Sequence, residues 1–276
     1  MTAIKRKSNG KIIIHQLSVA KISINITFLI LIFLTAWGFL TIDTKEIDLW
    51  KASQQAVGDF YKMFFGPKAT HFTLAEAFKE LLTTLSLAFM TTLLGSIIAL
   101  VLGLMAARNL TNEKVSLVIK SFISFVRAVP TVLWVLIFAI GAGLGAVAAV
   151  IGMSFHTVGY LLKAYSESFE ELDEGVIEAL KASGANWMQI IFQAVIPSSA
   201  TYILSWTFVR FEINFAVAVA MGAAAGAGGI GYQLYMAAGY FFDIREIGVI
   251  TYLLLGVALL MEIFATRLKT KYHIHE

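Results

Sequence analysis

Two groups able to recognise an ion, Arg210 and Glu212, lie inside an otherwise apolar run, Ser198–Met221. Ionisable side chains in hydrocarbon are costly and face the protein interior or a water-filled path. Two positions apart on a helix, they point to different sides and cannot simply pair with each other. Arg210 is then either an anion-attracting group in a path, with Glu212 braced by another helix or protomer and Asn214 close by in sequence, or half of an interhelical ion pair that fixes packing. Arg127, just before Pro130, offers a similar choice between a gate residue and a side chain snorkelling to the interface. Gly226–Gly231 reads GAGGIG and fits the G-x-G-x-x-G spacing of a dinucleotide site. That spacing has meaning only between a strand and a helix, and here it follows an apolar helix-length run. Gly226, Gly228, Gly229 and Gly231 instead suit close backbone packing near an outer gate or dimer axis, or else a flexible loop. Gly222 with Gly226, and Gly141 with Gly145, have the small-xxx-small spacing of close helix contacts.

Other chemistry finds little support. There is no cysteine, and His15, His71, His156, His273 and His275 show no metal-ligand spacing, so no metal site is expected. Glu170, Glu171, Asp173 and Glu174 read as a solvated face favouring the N-terminus of the helix that follows. No Walker A pattern and no nucleophile–base arrangement occur. The chain is not expected to be an enzyme or to bind a cofactor itself.

The elements that hold these residues are membrane helices. Of 276 residues, 58% are hydrophobic and 14% charged, and mean hydropathy is +0.79; soluble domains carry about 25% charged residues. A span needs about 20 apolar residues. Spans are expected at Ile22–Leu40, Glu80–Ala107, Thr131–Gly141, Ala146–Tyr165, Ser198–Met221 and Glu246–Thr266. Thr111–Val129 reads as an amphipathic connector, and Thr41–Lys79 as a polar segment that either caps the outer face or lies on lipid. The fold class is therefore an all-α integral membrane protein of about six spans. Residues 1–79 form an N-terminal tail, first helix and interfacial segment, 80–266 the transmembrane core, and 267–276 a tail. With the N-terminus inside, fourteen Lys/Arg fall on inside segments and six outside, which places both termini and residues 167–197 in the cytoplasm. The net charge of +3 is too small to suggest nucleic acid.

Residues 167–197 interrupt this hydrocarbon-like chain. Glu174–Ser183 reads as one short helix, ended by Gly184 in a left-handed cap. Asn186 and Gln189 form a capping box for a second, with Trp187, Met188, Ile190, Ile191, Phe192 and Val195 as a broad apolar surface, and Pro197 opens the next span. Such a surface exceeds what a connector requires. It fits either a partner's groove or lipid.

The stretch EALKASGANWMQIIFQAVIP, Glu178–Pro197, resembles the EAA loop of binding-protein-dependent ABC importer permeases. Glu178, Ala179, Gly184 and Pro197 match that pattern in residue and spacing, while Leu180, Ala194 and Ile196 depart from it conservatively. SFVRAVPTVLWVLIF, FHTVGYLLKAYSESFEELDEG, RFEIN and GAGGIGYQL resemble the phosphonate/phosphate/phosphite-type permeases in particular, although FAVAVA after RFEIN lacks the polar residues that often follow there. The resemblance implies a type I importer permease fold and a homodimer, or a dimer with a close paralogue, in a bacterial inner membrane. It implies two cytoplasmic ATPase subunits that carry the ATP and magnesium, and an extracytoplasmic binding protein that delivers the anion. It implies ATPase docking through Glu178, Ala179, Gly184, Ala185, Trp187, Ile191 and Pro197. Importers of methionine or glycine betaine share part of these motifs, and a secondary transporter without ATPase is a further alternative.

Overall fold

The computed structural model describes residues 3–6, 12–15, 19–42 and 48–271, with side chains to residue 267 except in the two short strands. The chain divides into two units, Met1–Gly58 and Asp59–Glu276. The first unit holds a hairpin, β1 (Ala3–Arg6) and β2 (Ile12–His15), in antiparallel register with Ala3 opposite His15. These are the only strands among the described residues; the sequence reading had a plain tail there. Helix α1 (Val19–Thr41) follows and has no buried residue. Apolar on every side, it is suited to hydrocarbon. Helix α2 (Leu49–Phe65) bridges the boundary between the units, and its Trp50, Phe60, Tyr61 and Phe65 are exposed.

Among its described residues the second unit has helices and turns and no strand. Helix α3 (Leu74–Ala106) starts six residues before the expected second span. The reason is a capping box: Thr73 Oγ1 accepts from the Glu76 N–H at 3.2 Å, and the Thr73 N–H donates to Glu76 Oε2 at 2.7 Å. At 33 residues α3 is about 50 Å long, more than the hydrocarbon core requires. The amphipathic connector is helix α4 (Glu113–Ala128), and it meets α5 (Thr131–Ala142) at 91°. Pro130 forces this break, because the residue before a proline avoids helical geometry and Val129 is extended (ψ 125°). The expected short third span is thus half of a bent pair, and among the described residues five helices are long and apolar enough to cross a membrane, or six with that pair counted as one.

Helix α6 (Ala146–Glu170) packs on α3 and α5 through small residues. Gly152 lies against the Val135 backbone, Gly95 against Thr157, and Gly103 against Tyr165. Gly141 and Gly145 face open space, so that small-residue pair makes no close contact among the described residues. Helices α7 (Glu174–Ala182) and α8 (Trp187–Ile190) lead through a π turn, Ile191–Val195, into α9 (Ile196–Ala224). Pro197 falls in the first turn of α9, as expected, but helix runs on through that point from Trp187. Lacking an N–H, it leaves the helix one bond short, and the ladder widens just ahead of it, where the Ile196 N–H reaches back to the Ile191 carbonyl. Helix α10 (Gly229–Tyr235) folds back on α9, and α11 (Ile244–Lys271) closes the unit.

Two cores result. One joins α3, α9, α10 and α11 around Leu81, Ala88, Phe215, Ile230 and Ile250. The other joins α3, α4, α6, α7 and the π turn around Leu161, Tyr165, Phe169, Ile177 and Ile191. Helix α10 lies so close to α9 that a Cβ on Gly231 would overlap the Val219 carbonyl. Gly231→Ala must therefore push two helices apart, and overpacking of that kind costs about 1–3 kcal/mol. A lower melting temperature of the purified chain in detergent is the expected result; an unchanged one would show that α10 is not held as described.

Candidate functional site

The segment between α6 and α9 is built by local hydrogen bonds. Asp173 caps α7 by accepting from the Gly175 N–H at 2.9 Å. At the other end Gly184 has φ +84°, its N–H donates to the Lys181 carbonyl at 2.9 Å, and the Ala185 N–H donates to the Leu180 carbonyl at 3.0 Å. Those two bonds define a Schellman motif, with the Leu180–Ala185 apolar pair turned to the core. Asn186 and Gln189 form the expected capping box, at 3.0 and 2.7 Å. The pair α7–α8 is the expected helix–turn–helix, but its apolar side chains divide. Ile177, Ile190, Ile191 and Val195 are buried, whereas Trp187 (42% exposed), Met188 and Phe192 (62%) face outward. Glu178, Ala179, Gly184 and Pro197 are also exposed and Ala185 is half-buried. Ile191 thus anchors the segment and lies outside its exposed face.

This segment is tied to the turn after α3. Trp187 Nε1 donates to the Leu110 carbonyl at 3.0 Å. Next to it, Asn109 Nδ2 donates to the Phe169 carbonyl at 2.7 Å. Glu170 accepts from the Arg108 N–H at 2.8 Å and from Lys120 Nζ of α4 at 2.6 Å. These bonds link α8 to the turn after α3, and that turn to α4 and α6.

Arg210 is 3% exposed, on the α9 face turned toward α6. Its Nε donates to Thr157 Oγ1 at 3.3 Å, and its terminal nitrogen lies 3.1 Å from His156 Nδ1. Thr157 Oγ1 is 3.1 Å from Asn214 Oδ1, and Asn214 Nδ2 donates to Thr92 Oγ1 of α3 at 2.8 Å. A polar chain thus crosses three helices inside the apolar layer. Among the described residues no carboxylate forms an ion pair with Arg210. The ion-pair alternative therefore finds no partner among the described residues. The Arg210 guanidinium carbon instead lies 5.2 Å from the Tyr160 ring centroid, and that of exposed Arg127 lies 5.6 Å from the same ring. Glu212 is half-buried and lines a separate cavity of about 590 Å³ between α3, α9 and α11, with Phe89, Leu93, Phe208 and Phe264 in its walls.

The glycine motif is a junction. Gly226, Gly228 and Gly229 have positive φ, and Gly229 and Gly231 are buried against α3 and α9. The N-terminus of α10 points at α3: the Gly229 N–H donates to Glu80 Oε2 at 3.0 Å and the Ile230 N–H to Thr84 Oγ1 at 2.9 Å. An acid at a helix N-terminus is favourable. Glu80 and Thr84 gave no signal in the sequence, nor did Thr92 and Thr157, because a threonine in an apolar helix can bond its own preceding turn and shows no partner by spacing. His71, Asp243 and Glu246 also come together, with ligand atoms within 4.8 Å of one another.

These elements match a known family. Residues 99–272 fit the family described as binding-protein-dependent transport system inner membrane component. The chain belongs to that family. It is 30% identical over 195 residues to a phosphite transport system permease of Stutzerimonas stutzeri, covering 70% of each chain. It is 31% identical over 176 residues to a phosphate-import permease of Mycolicibacterium smegmatis, covering 63% of this chain and 33% of that one. Among solved structures, the inward-facing MetNI methionine ABC transporter superimposes with TM-score 0.65 at 21% identity, over 72% of this chain and 97% of that chain. A bacterial ABC transporter for the acidic polysaccharide alginate superimposes with TM-score 0.63 at 13% identity, over 93% and 100%. The fold is that of a type I ABC importer permease, and the chain is a multi-pass membrane subunit of a transport system.

Proposed function

We propose that two copies of this permease form the pore of an ATP-driven importer for a small phosphorus oxyanion of the phosphite, phosphate or phosphonate class. The pore lies in a bacterial inner membrane with both termini in the cytoplasm. Two ATPase subunits, holding ATP and magnesium, dock on the exposed Trp187, Met188 and Phe192 patch with Glu178, Ala179 and Gly184 beside it. A binding protein delivers the anion from the other side. The observation that carries the coupling role is the hydrogen bond from Trp187 to the Leu110 carbonyl. Through it, approach of the two ATPases moves α8 and the ends of α3, α4 and α6 together. Helix α4 carries Arg127 at its far end, beside Tyr160 and Arg210. The anion class is supported by these two guanidiniums at one aromatic ring and by the names of the relatives. The permease needs no nucleotide contact, since coupling is mechanical.

The test is ATP hydrolysis by the complex reconstituted in lipid with its ATPase and binding protein. The panel holds phosphate, phosphite, methylphosphonate, methionine and glycine betaine. Stimulation by the phosphorus oxyanions alone is expected. Stimulation by methionine or betaine would keep the machine and overturn the substrate. A chain that never assembles with an ATPase would overturn the coupling role and leave α7–α8 as a lipid-facing pair.

A further inference from the structure

We propose that His71, Asp243 and Glu246 form a binding site for a divalent transition cation of the zinc type. The three residues come from separate places: His71 from the segment before α3, Asp243 from the turn before α11, and Glu246 from the first turn of α11. Glu246 is fully buried, and its two oxygens have different roles. Oε1 accepts from the Thr70 N–H at 2.6 Å and from the His71 N–H. Oε2 faces His71 Nδ1 at 3.1 Å. Zinc binds nitrogen and oxygen at about 2.0–2.2 Å, so neighbouring ligand atoms of a tetrahedral site lie roughly 3.3 Å apart. The Nδ1–Oε2 pair already has that separation. Asp243 offers the third ligand. Its Oδ2 accepts a 3.2 Å bond from Thr70 Oγ1, while Oδ1 caps α11 through the Arg245 N–H at 2.9 Å. Water completes the shell.

Three further observations fit a cation. The His71 ring is stacked on Phe241, with centroids 3.8 Å apart and planes within 2°, so Nδ1 is aimed before any ion arrives. The backbone N–H groups on Oε1 fix the carboxylate in the way outer-shell partners orient metal ligands. The charges also fall short of balance. Two carboxylates stand beside one imidazole, and among the described residues neither is ion-paired to Lys or Arg. A dication offsets both. Bound there, it clasps the segment before α3 to the start of α11.

Spacing hid this site, since His71 and Glu246 are 175 residues apart. The test is isothermal titration of zinc chloride into the purified full-length chain in detergent, freed of metal by a chelator. The background is His273→Ala/His275→Ala, because the C-terminal histidines offer a competing zinc ligand. One zinc per chain is expected, together with a zinc-dependent rise in melting temperature, since a ligand that binds only the folded state stabilises it. His71→Phe keeps a ring on Phe241 and removes the ligand, so it is expected to abolish both effects. Asp243→Asn is expected to weaken binding at least about tenfold, a loss typical of a disturbed metal shell. Circular dichroism of the metal-free variants, matching that of the parent, excludes misfolding as the cause. No saturable binding to the parent, or equal binding to the parent and His71→Phe, overturns the site and leaves a histidine–carboxylate hydrogen bond.

Discussion

Replacing Gly184 with valine is expected to cut substrate uptake by at least about tenfold while ATP hydrolysis continues, now independent of substrate. The cause is backbone geometry rather than crowding. Gly184 has φ +84°, and a Cβ built there meets nothing within 4 Å. An ordinary L-residue in that conformation costs roughly 1–2 kcal/mol, and a β-branched one is a steric outlier. Valine would instead draw the chain back toward negative φ. That breaks the Gly184–Lys181 and Ala185–Leu180 bonds and turns Asn186 and Trp187 away from their places on α8. The Trp187 bond to Leu110, the link from loop to spans, goes with them. A graded series separates this account from a general packing defect. Asparagine tolerates the left-handed region, so Gly184→Asn should transport almost as the parent does, with alanine between the two. Uptake by proteoliposomes together with phosphate release measures both halves. Coupled transport by Gly184→Val at the parent rate would remove the loop from the mechanism.

What the sequence made legible follows how far each interaction reaches along the chain. The Asn186–Gln189 capping box and the Gly184 cap were readable because their partners lie within a few residues. The same grammar marks Thr73–Glu76 as the start of α3; there the apolar count outweighed the cap and set the boundary six residues late. Pro130 announced a break, but neither its 91° angle nor the approach of α5 to Gly152 of α6 at the Val135 backbone has a local signal. Pro197 does stand in the first turn of α9, the place proline favours, but the π turn that joins this helix to α8 has no local signal. The candidate site is made of contacts that no spacing displays. Asn214 and Thr92 are 122 residues apart, and Gly229 and Glu80 are 149 apart. Arg210 was visible as a charge in an apolar run. That His156, Thr157 and Tyr160 surround it could be learned only by folding α6 against α9.

That environment yields the second large effect: Arg210→Met is expected to leave the folded chain as stable as the parent, or more so, and to reduce anion uptake by at least about tenfold. A guanidinium 3% exposed and without a carboxylate partner among the described residues bears a desolvation cost that its bonds to Thr157 and His156 do not fully offset. Methionine fills similar length with an apolar, adaptable chain. Thr157 retains its bond to the Met153 carbonyl, and Asn214 retains Thr92. A residue kept at the expense of stability belongs to function rather than to packing, the usual trade at working sites. The two roles weighed for Arg210 therefore predict opposite pairs of results. If it attracts the anion, Arg210→Met loses uptake and keeps its melting temperature, and Arg210→Lys recovers part of the uptake because it restores the charge without the planar fork. If it only fixes helix packing, Arg210→Met melts earlier, uptake falls only with the amount of folded protein, and lysine rescues nothing. Melting in detergent and uptake per folded complex, measured on the same preparations, decide between them. Parent-level uptake by a stable Arg210→Met protein would remove Arg210 from the anion's route.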